Sequence, residues 1–266
     1  MTTVFQVGAG SGGMAVLDLV ARDPRVTRVT LIEPDVYAPH NVHRHLFPPP
    51  AVGRLKAELA AEWLGAIRPD LTVVALVADI TDPGRQNEFA RLADECDIGV
   101  CAADNEAAKF AFDALMRGAG KPWTLGEVLS GGIGGWVHRF APGAACYGCV
   151  ASYLKREVVE QPAGPPPDYS NPAGPQPETT VPASKASIHV IAGVHALVTL
   201  GEPPDFTSLL FSLQTVPGVF DTAFRAHRLK IPRASACLTC GAPGAVPAGE
   251  QLDAALDRAL DRLGAP

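Results

Sequence analysis

Residues 3–13, TVFQVGAGSGG, decide how the chain folds. Thr3–Val7 is a short apolar run of the kind that forms a strand buried on both faces. It breaks into a glycine turn, and MAVLDLVA then continues as a helix from about Gly12 to Ala21. Gly8-x-Gly10-x-x-Gly13 therefore lies between a strand and a helix. Glu33 closes the next strand about 20 residues later, the spacing of a dinucleotide fingerprint. The three glycines serve different physical ends. Gly8 permits a tight turn, Gly10 lets backbone approach a phosphate, and Gly13 lets the helix pack on the strand. The helix N-terminus favours an anion, and the Glu33 carboxylate can accept hydrogen bonds from a ribose. These residues point to an adenine nucleotide on a Rossmann-like fold. They do not separate ATP from NAD, and a glycine turn that binds nothing is the plainer alternative.

Outward from this unit, strands and helices alternate. Residues 26–33, 71–80 and 96–105 read as strands, and 56–67, 89–95 and 106–120 as helices, the first with Leu55, Leu59, Trp63 and Ile67 in one stripe. That alternation predicts a doubly wound, mostly parallel α/β sheet. After Lys121 the pattern changes. Residues 124–142 read as antiparallel strands with glycine bends, and 161–183 form a proline-rich loop. A helix at 185–200, strands at 206–215 and 224–231, and an amphipathic helix at 250–264 complete the reading. The expectation is a single domain. Its nucleotide-binding half is 1–122, its metal- and substrate-binding half is 123–266, and a crossover loop runs from about 150 to 187.

The 266 residues carry a net charge of −6 without a dense Lys/Arg block, which argues against nucleic-acid and membrane-surface binding. No apolar run reaches the roughly 20 residues of a membrane span, and no targeting segment is visible, so a cytoplasmic location is the default expectation. Four of the six cysteines form Cys-x-x-Cys pairs, Cys146/Cys149 and Cys237/Cys240, while Cys96 and Cys101 flank an apolar run and read as core thiols. In a cytosolic chain such pairs suggest a metal before disulfides, and four thiolates make a closed tetrahedral zinc site with no open position for catalysis; two redox or unliganded pairs are the alternative.

The segment after the second strand, EPDVYAPHNVHRHLFPPPAVGRLKAE (33–58), carries a more specific signal. With VCAADNEAAK (100–109), PGAACYGC (142–149) and ACLTCG (236–241), it resembles the ThiF/MoeB/HesA family of ubiquitin-activating-like enzymes. The matching positions are Glu33, Asp35, Asn41, Arg44, Lys56, Asp104 and Asn105. The resemblance implies ATP-dependent adenylation of a C-terminal carboxylate. The substrate would be a small ubiquitin-like or sulfur-carrier protein, or a peptide, ending in glycine. It also implies a structural zinc on the four cysteines and a two-fold homodimer. The chemistry suits the residues: Arg44 and Lys56 can offset charge in the transition state at the α-phosphate, and Asp104 can hold Mg2+. Asn41 and Asn105 can position phosphates without adding charge. His43 and His45 stand where the family usually has glutamine-like residues; they read either as hydrogen-bond donors, with some pH dependence, or as surface histidines.

Two departures shape the expectation. Only Met1–Thr3 precede the first strand, so the family's N-terminal arginine has no counterpart, and Arg44, Arg54 or a partner chain would compensate. Residues 150–236 contain no cysteine, so no thioester is expected on the chain itself. Two other classes stay open: a non-catalytic binding subunit of a larger complex and an NAD(P)-dependent oxidoreductase.

Overall fold

The computed structural model describes residues 1–154 and 183–241. The elements, in order, are β1 (Thr2–Val7), α1 (Ser11–Ala21), β2 (Val26–Ile32), α2 (Lys56–Ile67), β3 (Thr72–Leu76), α3 (Gln86–Glu95) and β4 (Ile98–Cys101). They continue with α4 (Glu106–Gly118), β5 (Trp123–Val128), β6 (Gly134–Phe140), α5 (Tyr147–Tyr153), α6 (Lys185–Leu200), β7 (Ser208–Ser212) and β8 (Ala226–Leu229). One sheet contains all eight strands in the order β3-β2-β1-β4-β5-β6-β7-β8. The pairs from β3 to β5 are parallel, and β5, β6, β7 and β8 pair antiparallel. The expected fold class is therefore the one observed.

Alternation along β1 divides the core. Val4 joins α1, α2 and α6 residues on one face, including Leu17, Leu64 and Ala192. Phe5 and Val7 join α3, α4 and α5 residues on the other, including Phe89, Phe112 and Val150. Both faces of the parallel strands are covered, so Val4, Phe5 and Val7 of β1 are all buried, and so is Gln6 between them. The chain winds outward from β1 to β3, then returns to place β4 on the other side of β1. That reversal opens a crevice at the carboxyl ends of β1 and β4.

Several boundaries differ from expectation. The third strand ends at Leu76 rather than at residue 80, and Ala78 and Ile80 turn into the core on the α3 side. The fourth ends at Cys101 because Asn105 caps α4, its Oδ1 accepting the Ala108 N–H at 2.8 Å. Helix α5 has no sequence signal: YGCVASY contains a glycine and no helical stripe, and it follows directly from Cys146. The amphipathic segment 250–264 and nearly all of the proline-rich loop lie outside the described residues. No helix among the described residues is long and apolar enough to cross a membrane.

Candidate functional site

The crevice at the strand reversal holds a cavity of about 480 Å3. Gly8, Gly10, Ser11 and Gly12 form its floor at the start of α1. Glu33 and Asp35 enter from the end of β2, Asn41, Arg44 and Lys56 from the following segment, and Asp104 and Asn105 from the end of β4. Thus every expected nucleotide-site residue except Gly13 lines one cavity. Gly13 serves packing instead, since a Cβ there would collide with the Gly8 carbonyl. Gly8 has φ +94°, and a Cβ on it would stand 2.8 Å from the Ala102 backbone. Gly10 faces open space, as close approach of a ligand requires.

The glycine turn is held by three buried side chains. Gln6 Nε2 donates to the carbonyls of Gly8 and Gly13, both at 2.9 Å. Glu33 accepts the N–H of Ala9 on one oxygen and that of Asp35, at 2.9 Å, on the other. His45 Nε2 donates to the Ala9 carbonyl at 2.9 Å. Burial raises the Glu33 carboxyl above its ordinary range, opposed by Lys56 and by the two amides. Glu33 thus shapes the turn as well as facing the cavity, a role the spacing alone did not show.

Charge in the cavity is already organised. The buried Lys56 ammonium lies 2.7 Å from Asp35 and 3.9 Å from Glu33. Asn41 Oδ1 accepts the Ala38 N–H at 2.9 Å, and Asn105 spends its oxygen on the α4 cap. Their amide NH2 groups, both donors, are what each offers an anion. Arg54 is engaged by Glu62 on the surface and does not line the cavity, so the structure does not place it as the compensating cation. The two histidines separate: His43 is exposed, whereas His45 is buried.

A second cavity, of about 380 Å3, shares a wall with the first: Ser11, Gly12, Arg44 and Asp104 line both. Its far side carries Lys109 and Glu127. Lys109 is buried with its ammonium 2.7 Å from both Glu106 and Glu127. Burial pulls its pKa down, but the two carboxylates outweigh that and raise it overall. His138 lies 3.3 Å from Glu127 and 2.8 Å from the Ser208 hydroxyl. The Tyr147 hydroxyl donates to Glu106 at 2.6 Å. None of these residues stands out in the sequence. Their one legible trace is that Lys109 and Asp113 fall on the buried stripe of α4, beside Ala108, Phe112 and Met116.

The four expected cysteines come together, all Sγ atoms lying within 4.8 Å of one another. Sulfur separations of 3.8 Å for Cys146–Cys149, 3.7 Å for Cys146–Cys237 and 3.5 Å for Cys149–Cys240 are too long for disulfides. They suit a tetrahedron of thiolates about 2.3 Å from a central zinc, whose edges would be about 3.8 Å. Cys146 immediately precedes α5, and the Tyr147 N–H donates to Asp113 of α4 at 3.0 Å, so the cluster is tied to the helix that follows the cavity. Cys96 and Cys101 are core thiols, each pushed by burial up to about 12.

Comparison with known proteins agrees with this fold. Ubiquitin-like modifier-activating enzyme 5 of Oryza sativa subsp. japonica is 27% identical over 165 residues, covering 58% of this chain and 39% of the relative. The Drosophila ananassae protein of the same name is 24% identical over 172 residues, with 59% and 42% covered. The chain therefore spans about two fifths of these relatives' length. Among solved structures, E. coli MccB with ATP superposes with a TM-score of 0.65 at 18% identity, covering 90% of this chain and 67% of that one. The microcin C7 biosynthetic enzyme MccB with N-formylated MccA gives 0.65 at 19%, with the same coverage. These likenesses cover nine tenths of the chain and show the fold. Residues 1–216 match the ThiF family, and the chain belongs to it.

Proposed function

We propose that this protein uses ATP to adenylate the C-terminal carboxylate of a small carrier protein or peptide. The observation that carries the proposal is the wall shared by the two cavities. A nucleotide in the first cavity would place its phosphates at the N-terminus of α1, where backbone N–H groups and the helix dipole favour anions. An acyl chain in the second cavity would meet those phosphates across Ser11, Gly12, Arg44 and Asp104. A carboxylate oxygen then attacks the α-phosphorus, the bond to the bridging oxygen of the β-phosphate breaks, and pyrophosphate leaves with that electron pair. Arg44 and Lys56 oppose the charge that accumulates. Asp104 would hold Mg2+ together with phosphate oxygens, the ion supplying charge neutralisation.

The relatives support the substrate class: some are named for activating a ubiquitin-like modifier, and MccB was crystallised with MccA. The division into a nucleotide half, 1–122, and a zinc and substrate half, 123–266, belongs to the same proposal. So do a structural zinc on the four cysteines, a two-fold homodimer, and transfer of the acyl group without a thioester on this chain.

ATP–pyrophosphate exchange tests the reading, with carrier proteins and synthetic peptides ending in Gly-Gly as donors. Exchange that needs a donor with a free C-terminal carboxylate is expected. Exchange that survives amidation of the donor, or binding of a nicotinamide dinucleotide in preference to ATP, would overturn it.

A further inference from the structure

We infer that His45 is a positioning residue for the nucleotide's phosphates, holding the Ala9 carbonyl away from the cavity in which they would lie. The inference rests on the nucleotide reading above. Ala9 sits between Gly8 and Gly10, which both line the cavity, yet Ala9 itself is wholly buried. Both of its backbone groups have buried side-chain partners. Glu33 accepts its N–H, and His45 Nε2 donates to its carbonyl at 2.9 Å. A carbonyl oxygen can only accept, so Nε2 carries the proton. Nδ1 is then the acceptor, and the Phe47 N–H approaches it at 3.4 Å. The two contacts select one tautomer.

The surroundings hold the ring in that state. His45 is 1% exposed, with the Tyr37 ring 5.1 Å and the Phe47 ring 4.6 Å away, centroid to centroid. Arg44, Lys56 and Lys185 are the cations near it, and the Lys185 ammonium donates to the His45 carbonyl at 3.0 Å. Burial is the first cause of a pKa lowered to about 4, with the three cations adding to it and the Ala9 contact opposing it. The imidazole is neutral and remains a single donor at Nε2. Without that donor the Ala9 carbonyl has no hydrogen-bond partner among the described residues. Its nearest alternative is to turn toward the cavity, which would set a partial negative charge against the phosphates and swing the amides of Gly10–Gly12 off them. A side chain that supplies one N–H at the same place should serve equally, and an apolar one of similar bulk should not.

The experiment compares His45→Leu and His45→Gln with the unmodified protein. Isothermal titration calorimetry with MgATP and with adenosine measures affinity, and nitrogen NMR of the imidazoles measures the tautomer. His45→Leu is expected to bind MgATP about tenfold more weakly, the effect of one buried carbonyl left unsatisfied, while adenosine changes by less than about twofold. His45→Gln is expected to stay within about threefold of the unmodified protein. Equal losses for MgATP and adenosine, unchanged MgATP affinity in His45→Leu, or a proton on Nδ1 would each overturn the inference. If His45→Leu does not fold, the tautomer and His45→Gln still decide it. An unmodified protein that binds no adenine nucleotide overturns the nucleotide reading, and this inference with it.

Discussion

The ammonium of Lys56 sits 2.7 Å from the carboxylate of Asp35 and 3.9 Å from that of Glu33. Lys56 is buried, whereas the Asp35 side chain is 60% exposed. The cation is thus fixed at the cavity wall by a partner that water can easily solvate, and a phosphate can take over that partner's place. Lys56→Ala should lower ATP–pyrophosphate exchange by about a hundred- to a thousandfold while MgATP affinity falls much less, because the contact matters most as charge rearranges. Asp104→Ala should do the same. Steady-state exchange rates and calorimetric affinities check this, and a variant keeping more than about a third of the rate would remove the residue from the mechanism.

Glycine positions separate backbone demand from ligand demand. Gly8→Ala forces a side chain onto a φ of +94° and into the Ala102 backbone, so it should destabilise the fold by about 1–3 kcal/mol or more. Gly10→Ala meets no protein atom within 4 Å. It should leave the melting temperature nearly unchanged and weaken MgATP binding, because its methyl group occupies ligand space. Thermal denaturation and calorimetry on the two variants should give opposite patterns.

Buried histidines set an acid limit. Burial lowers His45 from 6.5 to about 4 and His195 from 6.5 to about 3. The unfolded chain takes up protons at both as the pH drops through about 6.5, and the folded chain does not until far lower pH. Their contribution is therefore complete above about pH 6.5 and is lost progressively as the pH falls toward 4. Urea unfolding at about pH 7.5 and about pH 5 should show the drop, and His45→Gln should make it smaller.

Removal of metal should cost both ion and stability. Cys240→Ser takes one thiol from a cluster whose sulfurs all lie within 4.8 Å, so it should reduce bound zinc and lower the unfolding midpoint together. Elemental analysis of the purified protein showing no zinc would reject the assignment.

The parts of the site visible in the sequence are those that constrain residue type at a fixed spacing. A positive φ at Gly8 and the Gly13 contact leave a glycine signature, and two Cys-x-x-Cys pairs leave a cysteine one. What the sequence did not reveal depends on where the sheet places distant residues. Lys109 meets Glu127 only because α4 and β5 are neighbours, and His138 reaches Glu127 only through β5–β6 pairing. His45 was ambiguous because burial, which separates it from His43, has no local trace in VHRHL. The ends of β3 and β4 were overrun because their apolar residues continue past the sheet into the crevice and the α4 cap.

The cysteine cluster joins Cys146 and Cys149, on the entry to α5, to Cys237 and Cys240, which follow β8. Between the two pairs lie α6, β7 and β8, the elements that complete the antiparallel edge and cover one face of β5 and β6. A metal clasp there would turn that stretch into a closed loop. Cross-linking a loop of this size removes about 4–5 kcal/mol of chain entropy from the unfolded ensemble in the loop-closure picture. Occupancy at the clasp would then govern whether α6, β7 and β8 open as a separate cooperative unit. A protease added to metal-depleted protein should cut within residues 183–236 while β1–β4 stay protected.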